Sequence, residues 1–256
     1  MKKLLCTSII ATALFTFNLA AAEISQEIKT AVASKERAEN DRKRDQYRKP
    51  AEILALMGVK PGMKVVDLTS GSGYYTEMLS RIVGKEGKVI AHNPPYVINR
   101  FANFFNDEKN GWPAKFKSKQ WEQNVVKNID ELDTLNIGVG VDSVLMVLFY
   151  HDTVWQGVNR EQMNRRVFNA MKPGGTYLII DHNAKEGTGL NDVETLHRID
   201  KKTVIEEITK VGFELAEDSK VLSHPEDTRD YPFTRDVQTK RDRTDRMVLK
   251  FVKPVK

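Results

Sequence analysis

Residues 64–79 read KVVDLTSGSGYYTEML. An apolar strand ends at Asp67, a run of small residues follows, and an amphipathic helix begins at the tyrosine pair. Paired valines suit a strand buried in a parallel sheet. Gly71 and Gly73 let the backbone pass close to a ligand and set free amide donors beside it at a helix start. The stretch reads as a nucleotide-binding turn, although glycine patterns of this kind also recur in unrelated loops.

Three more strands follow with matching punctuation. Residues 88–91 (KVIA) end at His92 and Asn93, residues 141–147 (VDSVLMV) run to Tyr150, His151 and Asp152, and residues 175–180 (GTYLII) end at Asp181 and His182. Ligands of open α/β sheets sit outside the carboxyl ends of the parallel strands, so these four ends are expected to line one crevice. Residues 160–171 carry a helical stripe (Val167, Ala170, Met171) stopped by Lys172-Pro173-Gly174-Gly175, and residues 201–211 carry another (Val204, Ile205, Ile208, Val211).

Together these segments resemble the class I methyltransferases that use S-adenosylmethionine, over residues 50–256. VVDLTSGSG is similar to that family's first motif and VDSVLMVLFYHD to its fourth strand. MKPGGTYLIIDH, the most specific of the matches, is similar to the entry into its fifth strand. The wider layout, with RDQYRKPAEILALMGVKPGMKVVDL before the fold and LHRIDKKTVIEEITKVGFEL after it, resembles a group of exported predicted methyltransferases. The resemblance implies a Rossmann-like α/β fold: a doubly wound, mostly parallel seven-stranded sheet with helices on both faces and the last strand antiparallel. It also implies S-adenosylmethionine as cofactor, held by Asp67, Thr69, Gly71, Gly73, Tyr74 and Asn93. The expected reaction is methyl transfer to an oxygen or nitrogen of a small molecule.

Two positions depart from the family pattern. Thr69 stands where a glycine is usual and adds a β-branched side chain at the cofactor's amino-acid end. Asn93 stands where an acidic residue normally accepts both ribose hydroxyls, and an amide accepts only through its single oxygen. Loss of one charged hydrogen bond is worth about 1.5 to 3 kcal/mol, which weakens a site without abolishing it.

His151 and Asp152 are the candidate catalytic residues, because a histidine at this place looks like the proton acceptor of small-molecule O-methyltransferases. A hydroxyl attacks a methyl sulfonium poorly until a base takes its proton, and imidazole, with an ordinary pKa of about 6.5, suits that task. The same pair also fits a plain strand end and turn. Asp181, His182 and Asn183, with Asp152 and His197, offer donors for a divalent ion at the carboxyl edge. No pair among them has helical or C-x-x-C spacing, and no metal is assigned.

Residues 1–22 are of a different kind. Lys2 and Lys3 precede an apolar run over residues 4–19 that ends in Ala20-Ala21-Ala22, the pattern of a secretory signal peptide cleaved before Glu23, with a periplasmic destination. The run is short for a membrane helix, so no stable membrane insertion is expected after cleavage. Cleavage would remove Cys6, the single cysteine, and with it any disulfide; losing Lys2 and Lys3, the only charges in that stretch, takes the formal net charge from +5 to +3. Charged tracts such as RAENDRKRDQYRK alternate in sign, as solvated faces do, which argues against nucleic acid as a partner. Residues 23–49 read as a charged helical segment with sparse apolar positions (Ile24, Ile28, Ala31, Val32), expected to pack loosely, with Arg44, Asp45 and Arg48 read as solvated charge or, as the alternative, as a cover over the cofactor crevice. The long polar stretch 222–244 separates the last two strands, and its Tyr231-Pro232-Phe233 reads as a pin holding the loop or as a flap over a small substrate. An exported protein meets little S-adenosylmethionine, a charged cytosolic metabolite. That supports a second reading, a non-catalytic ligand-binding protein that keeps the fold.

Overall fold

The computed structural model describes residues 23–232 and 242–255; residues 1–22, with the expected signal peptide, and Phe233 lie outside them. Seven strands form one sheet: β1 (Lys64–Leu68), β2 (Lys88–His92), β3 (Val125–Asn128), β4 (Val141–Val147), β5 (Met171–His182), β6 (Glu214–Ser219) and β7 (Arg246–Val252). Their spatial order is β3-β2-β1-β4-β5-β7-β6. The first five run parallel, and β7 runs antiparallel to both of its neighbours.

Each central strand is apolar on both sides, because helices cover both faces of the sheet. Val65, Leu145, Leu178, Ile180 and Val248 pack on one face with the helices Pro50–Met57 and Tyr74–Val83. Val66, Val144, Met146, Tyr177 and Leu249 pack on the other with the helices Arg160–Ala170 and Lys201–Lys210. The outer strand β6 exposes Glu214 and leaves Glu217 half-buried, charges that blunt an open edge. Strand β5 begins earlier than the sequence suggests, since Met171 already pairs with Val141. The short β3, with only Val125 buried, carries too little pattern to be read alone.

Strand order reverses between β1 and β4, which is where a doubly wound sheet opens its crevice. The connections after β1 and β4 leave toward opposite edges. The turn 69–73 and the residues 148–152 therefore face each other across the gap.

The N-terminal segment corrects the expectation of loose packing. The helix Gln26–Ala33 is capped by Ser25 and buries Ile28 and Ala31 in the cluster that contains the helix Tyr74–Val83. Arg37 is only 2% exposed and donates to both oxygens of Asp45, at 2.7 and 2.8 Å, while the Tyr74 hydroxyl donates to Asp45 at 2.6 Å. Arg44 and Arg48 are not solvated either. Both reach the Asp242 carboxylate, at 2.8 and 3.0 Å. Burial alone would push the Asp242 carboxyl up, but the two guanidiniums outweigh it and hold the group well below the usual carboxylate range. Sparse apolar positions understate the attachment because ion pairs across almost two hundred residues supply it. Among the described residues no helix is long and apolar enough to cross a membrane.

Removing one partner of a buried ion pair leaves the other charge uncompensated, a loss of about 3 kcal/mol or more. Asp242→Asn should therefore lower the melting temperature by about 6 to 12 °C at pH 7. A depressed carboxyl pKa contributes stability above the ordinary carboxylate value and loses it as pH falls through the folded value. The gap between wild type and variant should thus stay constant from pH 7 down to about 4 and narrow only in stronger acid, which thermal melts across that range will show.

Candidate functional site

A cavity of about 600 Å³ occupies the crevice at the carboxyl ends of β1, β2, β4 and β5. That volume is in the range of small-molecule sites. Of the residues singled out in the sequence, Asp67, Thr69, Gly71, Tyr74, Asn93, His151 and Asp152 line it, joined by His182 and His197. Gly73 does not face it. A Cβ on Gly73 would collide with the Trp121 ring, 2.7 Å from Cζ2, so this glycine serves close packing beneath the turn. Gly71 has φ 56° and open space where a Cβ would be, and it meets the cavity with bare backbone.

Thr69 adopts φ 60°, a left-handed conformation that strains a β-branched residue by about 1 to 3 kcal/mol. His92 explains how it is held. Burial pushes that imidazole down to about 4, so it is neutral; its Nε2 lies 2.9 Å from the Asp130 carbonyl, and its Nδ1 accepts from the Thr69 amide at 3.3 Å. The Thr69 hydroxyl donates back to the Leu68 carbonyl rather than into the cavity. Two more left-handed non-glycine residues, Leu148 (φ 55°) and His197 (φ 52°), border the same space.

Asn93 also has an unexpected role. Its oxygen accepts from the Gly71 amide at 2.8 Å, and its nitrogen donates to the Ser70 hydroxyl at 3.0 Å and the Gly71 carbonyl at 3.1 Å. Both ends of the amide brace the turn, and a carboxylate, which only accepts, could not make the two donations. Asp67 accepts from the Thr76 hydroxyl at 2.6 Å; burial raises its carboxyl to about 6 despite the bonds from Thr76 and the charge of Arg48. Tyr74 presents its ring, since its hydroxyl is engaged by Asp45 and the Arg48 guanidinium lies 4.6 Å from the ring centroid. Phe101, Phe104 and Phe105, with Val97, make an apolar wall beyond β2, and Arg44 and Arg48 form the rim. The phenylalanines were not assigned to the site from sequence, and the arginines follow the alternative of a cover over the crevice rather than solvated charge. The aromatic run FANFF is the signal that could have revealed the wall.

The far end of the cavity belongs to the histidines. Asp181, fully buried at the end of β5, accepts from the His151 amide at 2.8 Å and lies 2.7 Å from His151 Nδ1. His151 Nε2 lies 3.0 Å from an Asp152 oxygen, and His197 Nδ1 lies 3.5 Å from the same atom. Burial would lower the His151 pKa, but Asp181 and Asp152 outweigh it and raise the ring to about 10. Burial likewise pushes Asp152 up, yet His151 and His197 hold its carboxyl well below the usual range. His182, 5.8 Å from His151, is kept neutral by burial and by the His151 charge. Flanked by these two carboxylates, the His151 ring favours the imidazolium form at neutral pH, not the near-neutral base that the bare His-Asp pair suggests. Its partner Asp181 stands thirty residues away in sequence, out of sight of local pattern. Tyr231 follows the pinning alternative: the buried Arg198 donates to its carbonyl and lies 4.9 Å from its ring centroid.

The sequence profile of the protein-L-isoaspartate(D-aspartate) O-methyltransferase (PCMT) family matches residues 37–104. No curated protein sequence gives a significant match. Solved structures are similar at low identity. A chain in the complex between the Haloferax volcanii Trm112 methyltransferase activator and a methyltransferase is 19% identical with a TM-score of 0.55, covering 90% of this chain and 98% of that one. A SAM-dependent methyltransferase from Aquifex aeolicus is 17% identical with a TM-score of 0.51, covering 82% and 98%. The cyclase SpnF is 13% identical with a TM-score of 0.53, covering 88% and 86%. Strand order, the turn after β1 and these likenesses together show that the chain has the class I S-adenosylmethionine-dependent methyltransferase fold.

Proposed function

We propose that the protein is an S-adenosylmethionine-dependent methyltransferase acting on an oxygen or nitrogen nucleophile of a small molecule, exported to the periplasm by residues 1–22. The observation that carries the reading is one continuous cavity with a cofactor-type end and a polar reacting end. At the first end, Gly71 offers bare backbone, the phenylalanine wall suits a purine face, and Asp67 is a buried carboxylate whose raised pKa marks a place for a cation. The residues fit the cofactor. Bound there, it supplies an electrophilic methyl on a sulfonium. The protein's own contribution would be positional: Asp67 would hold an ammonium, the ring of Tyr74 and the aromatic wall would exclude water, and His151 with Asp152 would hold the acceptor, the imidazolium lying against an oxygen or nitrogen that has already lost its proton. Fixing nucleophile and methyl in line can itself contribute about 7 to 11 kcal/mol. The non-catalytic binding alternative draws on the leader sequence and on Thr69 and Asn93, the two departures from the family pattern, since a fold does not dictate a reaction.

Calorimetric titration of the chain from Glu23 onward should show saturable micromolar binding of S-adenosylmethionine and S-adenosylhomocysteine. Because a cationic ligand group needs the ionised Asp67, affinity should hold above pH 7 and fall below pH 6, approaching tenfold per pH unit. Asp67→Asn should weaken binding roughly ten- to a hundredfold and flatten that dependence. No heat at millimolar ligand would end the methyltransferase reading. In an acceptor screen, His151→Ala should abolish turnover while cofactor affinity stays within a few fold; a variant that turns over like wild type would remove His151 from the reaction.

A further inference from the structure

We infer that His151, Asp152 and His197 form a binding site for a divalent transition-metal ion of the zinc class. Their donor atoms converge. His151 Nε2 and His197 Nδ1 stand 3.0 and 3.5 Å from one Asp152 oxygen, and one ligand atom from each residue can be chosen so that all lie within 4.8 Å of one another. A tetrahedral ion about 2.0 to 2.1 Å from each donor separates those donors by about 3.3 Å, so the two measured edges already match.

The surroundings are those of a metal-binding histidine. Ligating imidazoles donate their second nitrogen to a carboxylate, which fixes the ring and its tautomer. Asp181 does this for His151: fully buried, it lies 2.7 Å from Nδ1 and accepts backbone amides from His151 and His182, each at 2.8 Å. Nε2 is thereby turned toward Asp152 and the cavity. His197 is fixed by its chain rather than by its ring. Its amide donates to Val193, Ile199 is tied to the His182 carbonyl at 3.1 Å, and Arg198 between them is wholly buried against Asp227 at 3.0 Å. A non-glycine residue at φ 52° persists where neighbours over-determine it, and such positions gather at functional sites.

Two imidazoles and one carboxylate suit zinc or iron(II) rather than magnesium or calcium, which prefer oxygen donors. Three protein ligands leave a fourth position, and it faces the cavity, where a hydroxyl-bearing acceptor would coordinate. The spacing argument against a metal fails because Asp152 and His197 meet through the fold, not along a helix. The inference does not depend on methyl transfer, since metal binding can be read without turnover.

The test is calorimetry and elemental analysis of the untagged, chelator-stripped full chain with zinc chloride and magnesium chloride. One equivalent of zinc should bind with a dissociation constant below about a micromolar, and magnesium at a millimolar should give no comparable heat. His197→Ala, at a part-exposed position outside the core, should lose at least tenfold in zinc affinity, with S-adenosylmethionine titration unchanged. Asp181→Asn, which touches no ion, should lose about 10- to 100-fold. Less than a tenth of an equivalent of zinc, equal binding by wild type and His197→Ala, or magnesium binding as tight as zinc would each overturn the site. If wild type binds zinc but no S-adenosylmethionine, the metal site stands and the cofactor reading falls.

Discussion

The reversal of strand order between β1 and β4 is the constraint from which the rest follows. The helices that follow parallel strands begin at the carboxyl edge with free amides, and at a reversal no connection crosses the opening. Asp67, the turn 69–73 and the residues 148–152 are delivered to one space because each follows a strand that borders this gap. Covering the sheet with apolar helices on both faces leaves its carboxyl edge as the place where polar chemistry can gather.

Two classes of carboxylate result. Asp45, Asp181 and Asp242 are turned into the protein and each is met by several donors, so each organises a piece of structure: the N-terminal segment, the His151 ring and the arginine rim. Asp67 and Asp152 border the cavity instead. Burial strips them of water, and their charge is expressed toward whatever enters. The strain at Thr69, Leu148 and His197 lies in the same ring of residues, where surrounding hydrogen bonds over-determine the backbone.

The four strands that border the cavity were legible in the sequence because their signal is local. β4 appears with the bounds read from its apolar run, and β1 and β2 run only one residue further. What escaped was long-range. Asn93 reads as a weakened ribose acceptor until its amide is seen bracing Ser70 and Gly71, and His151 reads as a free base until Asp181 is set against it. The segment 23–49 looks solvated because its attachment lies in arginines whose partner, Asp242, stands at the far end of the chain. Periodicity reports which face of an element is buried, and it carries no information about which charge meets which.

That last pairing makes the cavity a product of both chain ends. Its floor is encoded by residues 64–93, but the charge of its rim is compensated in part by Asp242, one carboxylate shared by Arg44 and Arg48. Displacing Asp242 would therefore recharge the cavity mouth from a position almost two hundred residues removed in sequence from Arg44 and Arg48.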